Sequence, residues 1–343
     1  MDLHFSSSNG SVDAAIEHMF DLIGTINHRP IVRDMIIAAL KAGQENSETV
    51  DLKLMSSTLK EMRYTAKVFG AYRKARKVTV FGSARTNPEH PIYQMARQFG
   101  QRLAESGFMI ISGGGPGIMR AVAEGAGYEN SFGVNIRLPY ERRSNNGPGN
   151  SPRDITYKYF FNRKVAFIKE ACAVALFPGG FGTLDEAMET FTLLQTGKRY
   201  PIPVVLIDGQ EDLYWSGWID FLKNHLLPAG YISEADFALF DHVHGVDEAI
   251  SAINGFYRRY HSLRYIGDKL VFRLESDIER SKIGELKCLF ADIIAAGGDI
   301  VSSVPLPQER DEPAISHLPR LIVDFNKSDF GRLRQFVNAL NCC

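Results

Sequence analysis

Residues 173–189 read AVALFPGGFGTLDEAME, and the interpretation of this stretch decides the fold. Residues 173–177 form a short apolar run of strand type. Residues 178–182 hold a proline and Gly179, Gly180 and Gly182, which permit a sharp turn and a close approach to a ligand, and a helix is predicted from Thr183 onward. A strand, a glycine loop and a helix N-terminus therefore follow one another. The free backbone N–H groups and positive dipole end of such a helix attract an anion, of which phosphate is the commonest biological example. Glu186 lies one turn inside the helix, where its carboxylate would face whatever the phosphate carries. Thr183-x-x-Glu186 is equally a capping box, with Thr183 as N-cap and Glu186 bonding back to its N–H, and spacing leaves both readings open.

Around this stretch, residues 77–260 alternate short apolar runs with amphipathic segments, which predicts an α/β fold: a doubly wound, Rossmann-like parallel sheet covered on both faces. Strands are expected at 78–81, 108–111, 132–136, 173–177, 204–207 and 241–243. Helices are expected near 91–105, 118–126, 162–171, 184–196, 213–224 and 247–260. Ligands of such sheets gather beyond the carboxyl ends of the strands. Gly82 and Ser83 follow the first strand, Ser112 to Gly117 the second, and Gly179 to Thr183 the fourth. Their convergence predicts one site.

The flanks differ in pattern. Residues 12–77 carry apolar residues at helical spacing, broken at Pro30 and in the polar run 43–49, so an N-terminal helical cap of three or so helices is expected over 1–76. The sheet domain is expected over 77–261. From residue 262 a small C-terminal α+β module is predicted, with strands at 270–276, 300–304 and 321–325, helices at 278–296 and 329–340, and a loop at 308–316. This β-α-β-β-α order places it outside the main sheet, with a regulatory or assembly role.

The chain of 343 residues is 45% hydrophobic and 23% charged, with a formal net charge of −1, and offers no electrostatic reason to expect nucleic acid or an anionic membrane as partner. The N-terminal residues lack a basic region followed by an apolar core, and no apolar run reaches the ~18 residues of a membrane span, so a cytoplasmic location is expected. Of the four cysteines, Cys172 and Cys288 read as small core residues and Cys342 and Cys343 as an exposed tail. His242-x-His244 lacks a third ligand of suitable spacing, and no lysine sits in a pyridoxal phosphate context, so neither a metal nor a cofactor is expected.

Two further segments could carry chemistry. Ser112 to Ala126, SGGGPGIMRAVAEGA, has the glycine cluster of a dinucleotide-binding turn but not its spacing. Ile118 stands where the third glycine is needed, and Asn135 and Arg137 stand where an acidic residue would hold a ribose. Phe161-Asn162-Arg163-Lys164 precedes the central strand. Its charges are either a solvated helix face or, since a planar guanidinium can hold an anion without titrating, part of a site.

PGGFGTLDE resembles the PGGxGTxxE signature of the LOG family, the cytokinin riboside 5′-monophosphate phosphoribohydrolases long labelled lysine decarboxylases. Residues 112–126 resemble the family's GGGxxGLM loop, and Arg163-Lys164 matches its Arg-Lys pair; the likeness spans roughly 78–260. It implies catalytic roles for Arg163 and Glu186. It implies substrate contacts from Ser83, Gly113, Gly114, Gly115, Gly117, Lys164, Gly179, Gly180, Gly182 and Thr183, with Glu141 and Thr192 as further ones. Asn162 departs from the His or Glu often found before the pair. The polar loop 142–152 is either a linker or an active-site flap. The reaction implied is hydrolysis of the N-glycosidic bond of a nucleoside 5′-monophosphate to free base and ribose 5-phosphate, by a homodimer or larger homo-oligomer. A nucleotide sensor and a base-transferring phosphoribosyl enzyme are the alternatives.

Overall fold

The computed structural model describes residues 9–46, 48–138, 151–210 and 213–343. The chain divides into two compact units, Met1–Tyr64 and Thr65–Cys343. In the first, helices α1 (Ser11–Ile23) and α2 (Arg29–Glu45) enclose Ile16, Phe20 and Ile37; the long helix α3 (Thr49–Gly70) starts in this unit and its last residues, from Thr65, belong to the second. Arg33 of α2 ties back to Asp13 of α1 at 2.8 Å.

In the second unit the first sheet is built from β1 (Lys77–Phe81), β2 (Met109–Ser112), β3 (Ser131–Ile136), β4 (Ile155–Tyr157), β5 (Ala173–Leu176), β6 (Val204–Ile207) and β7 (Asp241–Val243). Their order is β4-β3-β2-β1-β5-β6-β7, and every pairing is parallel. Alternation along the strands sends side chains to two cores. Val78, Val80, Ala173 and Ala175 face α4 (Pro91–Glu105), α5 (Ile118–Ala126) and the later helix Val246–Phe256. Phe81, Val174 and Leu176 face the end of α3 together with α6 (Phe160–Lys169), α7 (Phe181–Gln195) and α8 (Tyr214–Phe221). The helix Val246–Phe256 is α9. Burial on both faces explains why these strands read as continuous apolar runs, and the layers are those of a doubly wound α/β fold.

Several elements differ from their expected form. The edge strand β4 follows the polar run at 142–152 and has only Ile155 and Tyr157 as buried anchors, too short a pattern to read as a strand. Helix α9 stops at Phe256, because the chain enters a new strand, β8 (Tyr260–Ile266), which pairs through the Gly267-Asp268 turn with β9 (Lys269–Leu274). With α10 (Arg280–Leu289), β10 (Ile300–Ser303), β11 (Arg320–Val323) and α11 (Phe330–Cys342), the second sheet is antiparallel, ordered β10-β11-β9-β8. It thus has one strand more than the expected β-α-β-β-α pattern. Helix α10 ends earlier than the expected 296, in a turn that leads to Gly297 and Gly298. Cys172 is partly buried, its thiol pushed up to about 11 by burial, but Cys288 is exposed on α10 and not in the core.

The two sheets are joined by buried polar contacts. Arg334 of α11 donates to the Ile202 carbonyl at 3.1 Å and to Asp241 at 2.9 Å. Asn341 accepts from the Arg259 and Tyr260 N–H groups and donates to the Phe256 carbonyl. Within 308–316, Glu309 is buried against Arg273 and Arg320, so this segment is packed on the second sheet by charge.

Candidate functional site

At the centre of the first sheet β1 and β5 lie side by side, and the chain leaves β1 towards α4 on one face but leaves β5 towards α7 on the other. Loops that part in this way open a crevice at the carboxyl edge of the sheet. A cavity of about 760 Å³ occupies it, of a size typical for small-molecule sites.

The three glycine-bearing loops are knitted together there. Ser83 N–H donates to the Pro178 carbonyl at 3.0 Å, and Ile118 N–H donates to the Ser83 carbonyl at 3.0 Å. Gly117 has φ +67°, and a Cβ on it would lie 2.2 Å from the Ser83 carbonyl oxygen, so only glycine fits this crossing. Gly179 is likewise hemmed in, its notional Cβ 2.1 Å from the Thr183 Oγ1. Gly180 and Gly182 have nothing within 4 Å of theirs. Those two present open backbone to the cavity.

Helix α7 begins at Phe181, three residues before the expected start, with Gly180 as N-cap and no side chain capping it. Thr183 sits inside the first turn, its N–H bonded to the Gly180 carbonyl, so the Thr183-x-x-Glu186 capping box does not form. The first N–H groups of a helix have no intrahelical acceptor, and with an uncapped glycine start they remain available to an anion.

Released from capping, Glu186 turns inward. It is 5% exposed, and its Oε2 is buried without a hydrogen-bond partner. Lys164 Nζ lies 3.5 Å from that oxygen and 2.8 Å from Asp185, within ion-pair distance but without hydrogen-bond geometry to either. Burial pushes the Glu186 carboxyl up to about 7, and the charges of Lys164 and Arg163 only partly counter it. Arg163 is held in place by Nε donating to the Val134 carbonyl at 2.9 Å and Nη2 to the Gly113 carbonyl at 3.4 Å, with its guanidinium 5.0 Å over the Phe167 ring. A poised carboxyl, a fixed guanidinium and a helix N-terminus thus share one cavity.

Of the residues singled out in the sequence, Ser83, Gly113, Arg163, Gly179, Gly180, Gly182, Thr183 and Glu186 line this cavity. Lys164 stands behind Glu186. Gly114 and Gly115 do not line it: a Cβ on them would meet Asn135 and Met119, so both serve packing, as Gly117 does. Thr192 also lies elsewhere, its exposed hydroxyl donating to the Met188 carbonyl one turn back. Glu141 and residues 142–150 lie outside the described residues. His242 is 3.0 Å from Asp208, and no group of potential metal ligands occurs among the described residues.

The cavity also takes in Arg85, Phe160 and Tyr214, none of which the sequence marked. Arg85 follows Gly82-Ser83 closely enough that its charge beside a strand end could have been read as a signal. Nothing in the sequence announces Tyr214, which reaches the loop from a helix beyond the next strand.

Residues 117–253 match a family model described as "Possible lysine decarboxylase". An uncharacterized protein of Archaeoglobus fulgidus is 30% identical over 140 residues, 40% of this chain and 87% of that one. The chain belongs to the LOG family. A rice relative, described as probable cytokinin riboside 5′-monophosphate phosphoribohydrolase LOGL5, is 31% identical over 144 residues, covering 40% of this chain. The chain spans only 56% of the length of that LOG relative. Among solved structures, TM1055 aligns with 52% of this chain and 98% of its own at 22% identity, with a TM-score of 0.37.

Proposed function

We propose that the protein hydrolyses the N-glycosidic bond of a nucleoside 5′-monophosphate, giving free base and ribose 5-phosphate. The observation that carries this reading is Glu186, a buried carboxyl with an unpartnered oxygen in the same cavity as an uncapped helix N-terminus, where burial pushes it up to about 7. The phosphate would sit against Gly180 and Gly182, met from the rim by Arg85, whose guanidinium makes no hydrogen bond or ion pair among the described residues. Phosphate binding then holds the ribose where C1′ faces Glu186.

In the reaction the C1′–N bond breaks with its electron pair leaving on the base. Positive charge grows on the ribose ring, and the Glu186 carboxylate stabilises it. Water adds to C1′ and passes its proton to Glu186, while the departing base takes up a proton from solvent. Arg163, fixed by two carbonyls, orients the ribose and keeps Glu186 partly ionised. The family likeness to phosphoribohydrolases supports this reading, and the uncapped helix supports a phosphate rather than an uncharged ligand.

A panel of nucleoside 5′-monophosphates incubated without any acceptor, with both products identified, tests the proposal. Release of ribose 5-phosphate with free base from at least one of them is expected. Tight binding without cleavage would instead indicate a sensor, and turnover only with an added base or phosphate acceptor would indicate a transferase.

A further inference from the structure

We infer that Tyr214 is a positioning residue for the glycine loop, held in place by Asp208 and His242 from the ends of the two neighbouring strands; this rests on the nucleotide-site reading above. The Tyr214 hydroxyl donates to the Gly179 carbonyl at 2.7 Å. In a trans peptide the N–H points opposite to the preceding C=O, so fixing the Gly179 carbonyl also fixes the direction of the Gly180 N–H, the first donor at the start of α7. Gly179 also has no room for a side chain, since a Cβ on it would lie 2.1 Å from Thr183 Oγ1 and 3.0 Å from Ser83 N. The loop is therefore braced from within at Gly179 and open at Gly180.

Tyr214 is the first residue of α8, and the N-cap residue Leu213 offers no side-chain cap. The cap comes from elsewhere. Asp208, fully buried just beyond β6, accepts from the Trp215 N–H at 3.0 Å and the Ser216 N–H at 3.4 Å, and His242 Nε2 of β7 lies 3.0 Å from the same carboxylate. Trp215 Nε1 donates to the carbonyl of Leu176, the last residue of β5, at 2.9 Å. The start of α8 is thus tied to the ends of β5, β6 and β7, and from that anchored point Tyr214 reaches the loop that follows β5. Asp208 and His242 do not line the cavity themselves, so their influence on a ligand passes through Tyr214.

The test compares Tyr214→Phe and Asp208→Asn with the parent, using calorimetric titration with ribose 5-phosphate and steady-state turnover of AMP. Tyr214→Phe should melt as the parent does and bind ribose 5-phosphate about five- to tenfold more weakly, the worth of one hydrogen bond. Its KM for AMP should rise by the same factor while kcat stays close to the parent's. Asp208→Asn should weaken ribose 5-phosphate binding in the same direction although it is remote from the ligand; if that variant does not fold, Tyr214→Phe decides alone. Unchanged ribose 5-phosphate affinity in folded Tyr214→Phe overturns the inference, as does a fall in kcat with affinity intact, which would put the hydroxyl among the reacting groups. A parent that binds ribose 5-phosphate but cleaves no nucleoside monophosphate would sink the reaction and leave the binding arm to judge Tyr214. A parent that does not bind it overturns both.

Discussion

Lys164 Nζ stands 3.5 Å from Glu186 Oε2 without forming a hydrogen bond to it, and also ion-pairs with Asp185 and Glu189. Burial disfavours the ammonium, but the carboxylates around it outweigh burial and raise its pKa. The ammonium is therefore held in its charged form, while burial pushes the neighbouring Glu186 carboxyl up to about 7. Lys164 acts as a fixed charge that keeps the carboxyl from being fully protonated.

That arrangement predicts a pH profile. If the carboxylate form of Glu186 does the work, kcat/KM for AMP should rise with pH through about 7, the value to which burial pushes this group. Lys164→Met removes a charge that lowers the Glu186 pKa, so the acidic limb should move to higher pH, by about one unit. A limb left at ordinary carboxylate pH in the parent would contradict the assignment.

Stability should carry the opposite signature. The folded Glu186 pKa lies above its ordinary value of 4.5, so the folded state holds the proton more tightly than the unfolded chain. Its stabilising contribution is full below pH 4.5 and is lost as pH rises through about 7. Glu186→Gln lacks this titration, so relative to the parent it should gain about 1–3 kcal/mol on going from acid to pH 8. Parallel melts of the two proteins across that range check the sign.

The glycines should separate into two classes. Gly117→Ala places a Cβ 2.2 Å from the Ser83 carbonyl at φ +67° and should cost at least about 2 kcal/mol in a denaturant titration. Gly182→Ala meets nothing within 4 Å and lies in a helix, so it should leave stability unchanged or slightly raised. Its KM for AMP should nonetheless rise, because the added methyl faces the position given to the phosphate. A Gly182→Ala enzyme with unaltered KM would take that position out of the binding mode.

Arg334 should matter for folding rather than for chemistry. It is buried and pairs with Asp241 at 2.9 Å while capping the Ile202 carbonyl, joining the second sheet to the first. Arg334→Met leaves a buried carbonyl unsatisfied and an acid without its partner, a loss of about 2–4 kcal/mol by chemical denaturation. A loss well under that range would show that packing of α11 alone docks the second sheet.

The central sheet was legible because its strands are buried on both faces and each apolar run stands alone. The segments 204–207 and 241–243 needed no more than that, and helices 91–105 and 118–126 agree with the structure to the residue. Strand β8 was hidden because HSLRYI follows YRRY without a break and only Tyr260 and Leu263 are buried along it. The expected start of α7 lies too far along the chain because Thr183-x-x-Glu186 imitates a cap, and only tertiary burial turns Glu186 away from its own backbone. No local pattern marks Asp208 and Tyr214, because their roles depend on which strands lie side by side.

The most direct test of Glu186 is the release of ribose 5-phosphate from AMP by Glu186→Gln beside the parent, with adenosine as a control substrate. The side chain is nearly isosteric, so the variant should remain folded and still bind ribose 5-phosphate. The parent should cleave AMP far faster than adenosine, and Glu186→Gln should lose AMP hydrolysis by about a hundredfold or more. A folded Glu186→Gln protein releasing ribose 5-phosphate at the parent's rate would contradict the placing of the reaction at this carboxyl.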